Sequence, residues 1–411
     1  MSNTKTFRSK RFDHVATYAF MAALWVPLIA MLAAPNREST VENRQLAKFP
    51  GIDGAEISRA QLGNYLKDNL GFRGEFVRAH NAIKLAAFGS ATTRKVVVGK
   101  DGWLFINMPG ALPAYSGDIP LTDRIVSNWQ TTLTQRADYL AKKDIPYGFI
   151  VVPDKHFVYS EYLPSGIARH PDGSYNEQLL SKLEKSFNVI QIFDALATSK
   201  KNGDLYYARD THWNGRGAAA GYESILRQIG EFVPALKEEC PCKYRVKVIE
   251  GSVRNNDLDR LIGSESANPQ PKVFSFPQEA KSKIVATPEE YLDLEDEYRK
   301  RQRSVVVYDN PDERVRGRRI VMFHTSFTEG PLRTLLAEHF ERAVFVRHPS
   351  KHMLAFHKLL IEREHPTLVI NEIPTRYLAL NPVTAYRTEE WKEEWKEAPT
   401  AISTGRSNKK R

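Results

Sequence analysis

The run Val321-Met322-Phe323-His324-Thr325-Ser326-Phe327-Thr328 passes from an apolar strand through a polar turn toward a helix. Residues 318–323 read as the strand, basic at its start and apolar after that. Beyond the turn, Thr328 is placed to cap a helix and Pro331 fits a first turn. Leu332, Leu335, Leu336 and Phe340 then recur at helical spacing. A strand that feeds a serine into a helix is a unit of α/β architecture. It puts the hydroxyl at the edge of a sheet, where helix N-terminal amides favour developing negative charge. Taken alone, the same serine also fits an ordinary turn or cap.

The flanking sequence repeats the unit. Apolar runs at 147–153, 189–193, 304–308, 343–347 and 367–371 alternate with helical patterns near 122–142 and 176–187. That alternation predicts a three-layer α/β fold around a mostly parallel sheet. Residues 95–106 read as a hairpin, because Asp101-Gly102 lies between two apolar runs. Trp103 in that hairpin fits the core or, if exposed, a platform for a sugar ring. Residues 231–304 look less regular and read as an insertion. They hold Cys240 and Cys242, whose one-residue separation would strain a disulfide, so two free or inertly paired thiols are expected. The acidic stretch 288–297 reads as a solvated helix.

A second stretch gives the serine its chemistry. Tyr207-Ala208-Arg209-Asp210-Thr211-His212-Trp213-Asn214 sets an acid and an imidazole two residues apart, just before a helix for which Asn214 is the expected N-cap. An Asp210 that accepts the Nδ1 hydrogen fixes the tautomer of His212 and leaves Nε2 free as a base. The pair equally fits a structural loop histidine or half a metal site. Ser326, as a nucleophile downstream, tips the reading toward catalysis.

These two stretches together resemble the SGNH-hydrolase-like proteins that O-acetylate bacterial polysaccharides, the AlgJ/AlgX-type alginate acetyltransferases. Other segments agree: Glu42-Asn43-Arg44-Gln45-Leu46-Ala47-Lys48-Phe49-Pro50, Gly71-Phe72-Arg73, Gly99-Lys100-Asp101-Gly102-Trp103-Leu104-Phe105 and Val152-Pro153-Asp154-Lys155. The similarity runs in order from about Glu42 to Tyr377. It implies an SGNH-like fold with circularly permuted motif order, the Asp-x-His block preceding the serine. It also implies an O-acetyltransferase in which Ser326 is the nucleophile, His212 the general base and acid, and Asp210 the orienting carboxylate. The implied partners are a polysaccharide acceptor and a multi-spanning membrane acyltransferase that supplies acetyl. No cofactor and no metal are implied. The family usually has Asp before the serine, whereas Thr325 stands here, a change expected to act on turn geometry or oxyanion placement. A polysaccharide acetyl esterase with the same triad and a non-catalytic scaffold of a secretion complex are the alternative readings.

The rest of the chain bounds these expectations. It has 411 residues, 42% of them hydrophobic, and a formal net charge of +10. That charge favours an acidic polysaccharide or a membrane surface. Nucleic acid is set aside because no aromatic-interleaved basic motif or zinc spacing is present. Residues 1–14 are basic, and 15–34 carry no charge, about the length that spans a bilayer. The charge asymmetry orients such an anchor N-in and C-out, with the catalytic domain in the periplasm. A cleaved signal peptide is the rival, but Met31-Leu32-Ala33-Ala34-Pro35 lacks a small-x-small cleavage pattern. Residues 35–94 read as a membrane-proximal helical lead-in, where Arg73 and Arg78 reach lipid headgroups or form a solvated face. Residues 95–380 make the catalytic domain, and 381–411 a polar tail that leaves no room for a carbohydrate-binding domain. Substrate-binding or orienting candidates are Lys155, Trp213, Asn214, Arg347, Arg376 and Tyr377; Glu372 also ends near the expected site face, and Glu372 and Arg376 equally fit a simple pair with each other. His324, His339, His348, His352, His357 and His365 match no compact metal motif.

Overall fold

The computed structural model describes residues 10–33, 58–72, 93–108, 110–249, 256–263, 270–288, 305–348 and 354–380, with isolated positions besides. Arg73, Arg78 and most of the stretches 288–297 and 381–411 lie outside the described residues. The chain divides into two units, Met1–Val97 with Asn255–Ala267, and Val98–Arg254 with Asn268–Arg411. The second piece of the first unit lies within the expected insertion.

In the first unit, helix α1 (Lys10–Ala33) contains the segment His14–Met31, long and apolar enough to cross a membrane as an anchor or a signal sequence. Val15, Tyr18, Phe20, Leu24, Trp25 and Ile29 are all exposed on it. An apolar helix exposed around its circumference suits lipid better than water. Pro27 sits inside the helix, and its carbonyl accepts from Gly71 N at 3.1 Å. A helix at Arg59–Asn69 precedes Gly71 and is closed by a capping box between Ser58 and Gln61.

The second unit is built on a seven-stranded sheet. Its strands are β1 (Tyr147–Val152), β2 (Asn188–Gln191), β3 (Lys283–Val285), β4 (Val305–Asp309), β5 (Arg319–His324), β6 (Arg342–Arg347) and β7 (Leu368–Pro374). Across the sheet the order is β2-β1-β7-β5-β6-β4-β3. The pairs from β2 to β6 are parallel; β4 runs antiparallel to β6, and β3 antiparallel to β4. The mostly parallel sheet expected from the sequence is therefore present, with an antiparallel edge that the apolar runs did not reveal.

The helices follow from how the strands bury both faces. They are α2 (Asp123–Ala141), α3 (Tyr175–Leu183), α4 (Gly215–Phe232), α5 (Pro331–Ala337) and α6 (Lys358–Glu364). Val321 and Phe323 of β5 join Val344, Val346, Phe149, Val151 and Val369 in one core cluster. Trp129, Leu133 and Leu140 of α2, Leu179 and Leu180 of α3, and Leu360 and Ile361 of α6 complete it. Strand periodicity sends Ile320, Met322 and Ile370 to the other face. There Gly148 makes room for α4: a Cβ on it would lie 3.0 Å from the Phe232 ring and 3.5 Å from Ile370. Helices thus cover both faces, and burial of each large apolar side chain contributes about 1.5–3 kcal/mol.

Two local expectations change. Helix α5 begins at Pro331 with Gly330 as its cap, not Thr328. The Thr328 hydroxyl is engaged elsewhere, as described below. Described parts of the expected insertion 231–304 form regular structure. Tyr244–Ile249 and Lys272–Pro277 form an antiparallel pair, and β3 closes one edge of the main sheet. Cys240 and Cys242 are both free, and burial pushes the Cys242 thiol above its usual pKa.

Candidate active site

The Asp-x-His stretch is a closed turn. Asn214 N donates to Leu205 O at 2.7 Å and Tyr207 N to His212 O at 3.3 Å, while Tyr206 and Trp213 form an antiparallel bridge. Asn214 then caps α4, its side chain accepting from Arg216 N and Gly217 N. Gly217 permits the close approach of this turn to the helix, since a Cβ there would meet Leu205 O at 2.3 Å. Inside the turn, the Lys155 ammonium donates to the carbonyls of Tyr207, Ala208 and Asp210 at 2.9, 2.8 and 2.9 Å. A buried ammonium without such partners would cost several kcal/mol. Lys155 is therefore spent on shaping the backbone, with 3% of its surface exposed.

Asp210 and His212 then take up their geometry. Asp210 Oδ1 accepts from His212 N at 3.0 Å and lies 2.7 Å from His212 Nδ1. The opposite ring nitrogen, Nε2, stands 2.6 Å from Ser326 Oγ. The His212 ring packs against Phe327 at 5.1 Å between centroids and remains partly accessible. Trp213 Nε1 donates to Phe327 O at 2.9 Å, which fastens the turn of the imidazole to the turn of the serine. Asp210 and His212 direct their facing atoms at each other, an arrangement that can move a proton along the line from Oγ to Nε2.

Ser326 follows the carboxyl end of β5, and a second carboxylate holds its turn. Glu372 of β7 is fully buried. It accepts from Thr325 N (2.8 Å), Thr325 Oγ1 (2.8 Å) and Thr328 Oγ1 (2.9 Å). Residues on both sides of Ser326 are thus tied to one carboxyl group, which burial pushes above its usual pKa. His324, just before the turn, is fully buried and lowered to about 3 by burial. Its Nδ1 is 2.6 Å from Thr325 O.

Residues 96–297 match the family described as "SGNH hydrolase-like domain, acetyltransferase AlgX". Over that stretch the chain is similar to an AlgX-type SGNH hydrolase-like domain. The matched stretch includes Asp210 and His212 and ends before Ser326. The chain is also similar to the probable alginate O-acetylase AlgJ of Pseudomonas aeruginosa, at 28% identity over 137 residues. That match covers 33% of this chain and 32% of the relative, so it spans about a third of that protein's length. Among solved structures, PatB1 of Bacillus cereus aligns with a TM-score of 0.49 at 18% identity, over 69% of this chain and 96% of that one. The O-acetyltransferase domain of Pseudomonas putida AlgJ aligns with a TM-score of 0.48 at 16% identity, over 74% and 99%.

The other candidates are distributed as follows. Trp213 and Asn214 are buried and structural in their contacts. Arg347, at the end of β6, forms an ion pair with Glu329. Arg376 and Glu372 do not form a mutual ion pair. Arg376 instead meets Asp154, with Nε 3.3 Å from Oδ1 and its backbone N donating to Oδ2 at 2.7 Å, and its guanidinium lies over the rings of Phe327 and Tyr377. Thr375 Oγ1 adds a bond to Asp154 Oδ2. Tyr377 packs at the margin of the core. Trp103 is core rather than platform, stacked at 4.5 Å on both Tyr159 and Tyr162. Sequence reading missed Asp154, Thr325 and Thr328 as a supporting frame. The available signal was a glutamate inside the otherwise apolar strand Leu368–Pro374, since a charge buried there needs fixed partners.

Proposed function

We propose that this protein is an O-acetyltransferase that passes acetyl through an acyl-Ser326 intermediate to hydroxyls of an exported acidic polysaccharide, alginate or a similar polymer. The observation that carries the reading is the line Asp210 Oδ1–His212 Nδ1, His212 Nε2–Ser326 Oγ, at 2.7 and 2.6 Å. Ser326 Oγ attacks the carbonyl carbon of a donor acetyl ester as its proton moves to Nε2. Collapse breaks the ester C–O bond, and the donor's oxygen leaves with that proton. A sugar hydroxyl then gives its proton to Nε2, attacks the acyl-serine and departs as the acetyl ester, restoring the Ser326 hydroxyl. Asp210 keeps the imidazole in the required tautomer throughout. The family match and the alginate O-acetylase relative support the acetyl chemistry, and the net charge of +10 supports an acidic acceptor. In this reading α1 anchors the chain with the catalytic unit on the periplasmic side, and a multi-spanning membrane acyltransferase delivers acetyl.

The test uses the full chain in detergent or nanodiscs, a small activated acetyl ester as donor and oligouronate as acceptor. Acetylated oligosaccharide by mass spectrometry, absent with Ser326→Ala, is the expected result. Rapid acetate release from an acetylated polymer, with no acetylated product from any acceptor, would establish an esterase instead. A phosphatase fusion after Arg411 that stays inactive while a fluorescent fusion glows would overturn the topology.

A further inference from the structure

The antiparallel pair Tyr244–Ile249 and Lys272–Pro277 is bound on one face to the stretch that holds Asp210 and His212. Val273 N donates to the Tyr207 hydroxyl at 3.0 Å, and Ser275 Oγ donates to Gly215 O at 2.8 Å. Just before the strand, Gln270 Oε1 accepts from Arg209 N at 3.2 Å. Gly215 allows the contact, because a Cβ there would lie 2.5 Å from the Phe274 carbonyl carbon. Tyr207, Arg209 and Gly215, on the stretch that carries Asp210 and His212, are therefore fastened to this strand and the turn before it.

The other face of the pair has a regular composition. The register sets Arg245 opposite Phe276, Lys247 opposite Phe274 and Ile249 opposite Lys272. Directly opposed residues share a face, and successive rows on it are about 7 Å apart. Phe274 and Phe276 are 41% and 40% exposed, unusual for rings on a folded strand. The six side chains include three cations and no carboxylate. Among the described residues, Arg245, Lys247 and Lys272 have no acidic partner. Glu223 accepts from the Tyr244 hydroxyl at 2.8 Å.

We propose that this face is a docking strip for an anionic polysaccharide, with carboxylates at Arg245, Lys247 and Lys272 and sugar rings lying on Phe274 and Phe276. This rests on the acidic acceptor proposed above and adds where that acceptor is held. Alternating cations and rings suit a polymer whose repeating unit presents both a charge and an apolar C–H face. An anionic bilayer would match the same charges, but continuity with the 207–215 stretch ties the strip to the acceptor of the reaction.

Full-length protein in zwitterionic nanodiscs is titrated with oligouronate and with a neutral glucan oligomer. The expected result is tighter binding of the oligouronate, weakened by salt. Combined Arg245→Gln, Lys247→Gln and Lys272→Gln substitutions should weaken it about tenfold or more. A separate Phe274→Ser, Phe276→Ser variant should weaken binding of both oligomers. Thermal melting controls for folding, and the charge variant, at two exposed side chains and one half-buried one, keeps the test usable if the phenylalanine variant unfolds. Unchanged oligouronate binding in the charge variant overturns the proposal. So does a charge variant that loses only binding to anionic vesicles, which would assign the face to the membrane. If the variants transfer acetyl to polymer at the wild-type rate, the strip fails and the transferase reading stands. If wild-type protein binds oligouronate through these residues yet acetylates nothing, the strip stands and the transferase reading fails.

Discussion

Asp210 and Glu372 are both buried carboxylates beside Ser326, and they are recruited in opposite ways. Asp210 lies two residues from His212, and one short turn makes their contact. Glu372 lies 47 residues from Thr325, and the contact exists because β7 pairs with β5, setting Asn371 beside Phe323. Asp210 meets the imidazole that moves the proton in the proposed mechanism, whereas Glu372 meets only the groups that flank Ser326. On that reading the first acts on the chemistry and the second on its placement, although both would read as buried acids at a strand or turn end.

The largest expected effect tests that division. Asp210→Asn should lower turnover about 10⁴-fold by misassigning the imidazole tautomer, and Ser326→Ala with Asp210→Asn should be no worse than Ser326→Ala alone. Glu372→Gln should cost less, roughly 10- to 100-fold in kcat with KM little changed, because it loosens a position rather than removing a catalyst. Steady-state cleavage of a small acetyl ester measures both. Equal losses from the two substitutions would erase the distinction.

A pH series sharpens the comparison on the strand side. His324 is neutral when folded, held at about 3 by burial, whereas the unfolded chain protonates near 6.5. The unfolded state thus binds more protons between those values. Stability should fall as pH drops from about 6.5 toward 3, by up to about 1.4 kcal/mol per pH unit for this group. Melting temperature against pH should show a shallower acid limb in His324→Asn. Glu372 has the opposite sign: burial raises its pKa, so its contribution is lost as pH rises through the folded value. The smallest effect is expected for Thr328→Val, about 1 kcal/mol in denaturant unfolding for one lost bond to a charged group, with the Asp210–His212 geometry intact.

What was legible in the sequence follows the same line between local and distant. The strands announced themselves as apolar runs, because central parallel strands are buried on both faces. The Asp210–His212 pair and the Asn214 cap were legible because each acts within a few residues. The serine was legible from strand, turn and helix in succession. Glu372 was noticed but its partners were not legible, since sequence proximity to Arg376 counts for little when Asp154 and Thr325 lie beside them in the folded sheet. The cap of α5 was misread for a related reason: the Thr328 hydroxyl had a buried carboxylate to meet, and Gly330 was left to start the helix. The pair Tyr244–Ile249 and Lys272–Pro277 escaped because its outer face alternates cations with apolar residues, a pattern that composition alone does not separate from loop.

The order of strands carries one more consequence. β7 is the last strand of the sheet to be synthesised, yet it occupies a place between β1 and β5. Until residues 368–374 exist, the two halves of the sheet have no common neighbour, and Glu372 is not there to hold the turn at Ser326. The emerging chain therefore has its imidazole long before it has a site. Such late, long-range pairing slows folding and leaves open strand edges in the meantime. A chain that stops short of β7 should be a client for chaperones and proteases rather than a weaker enzyme.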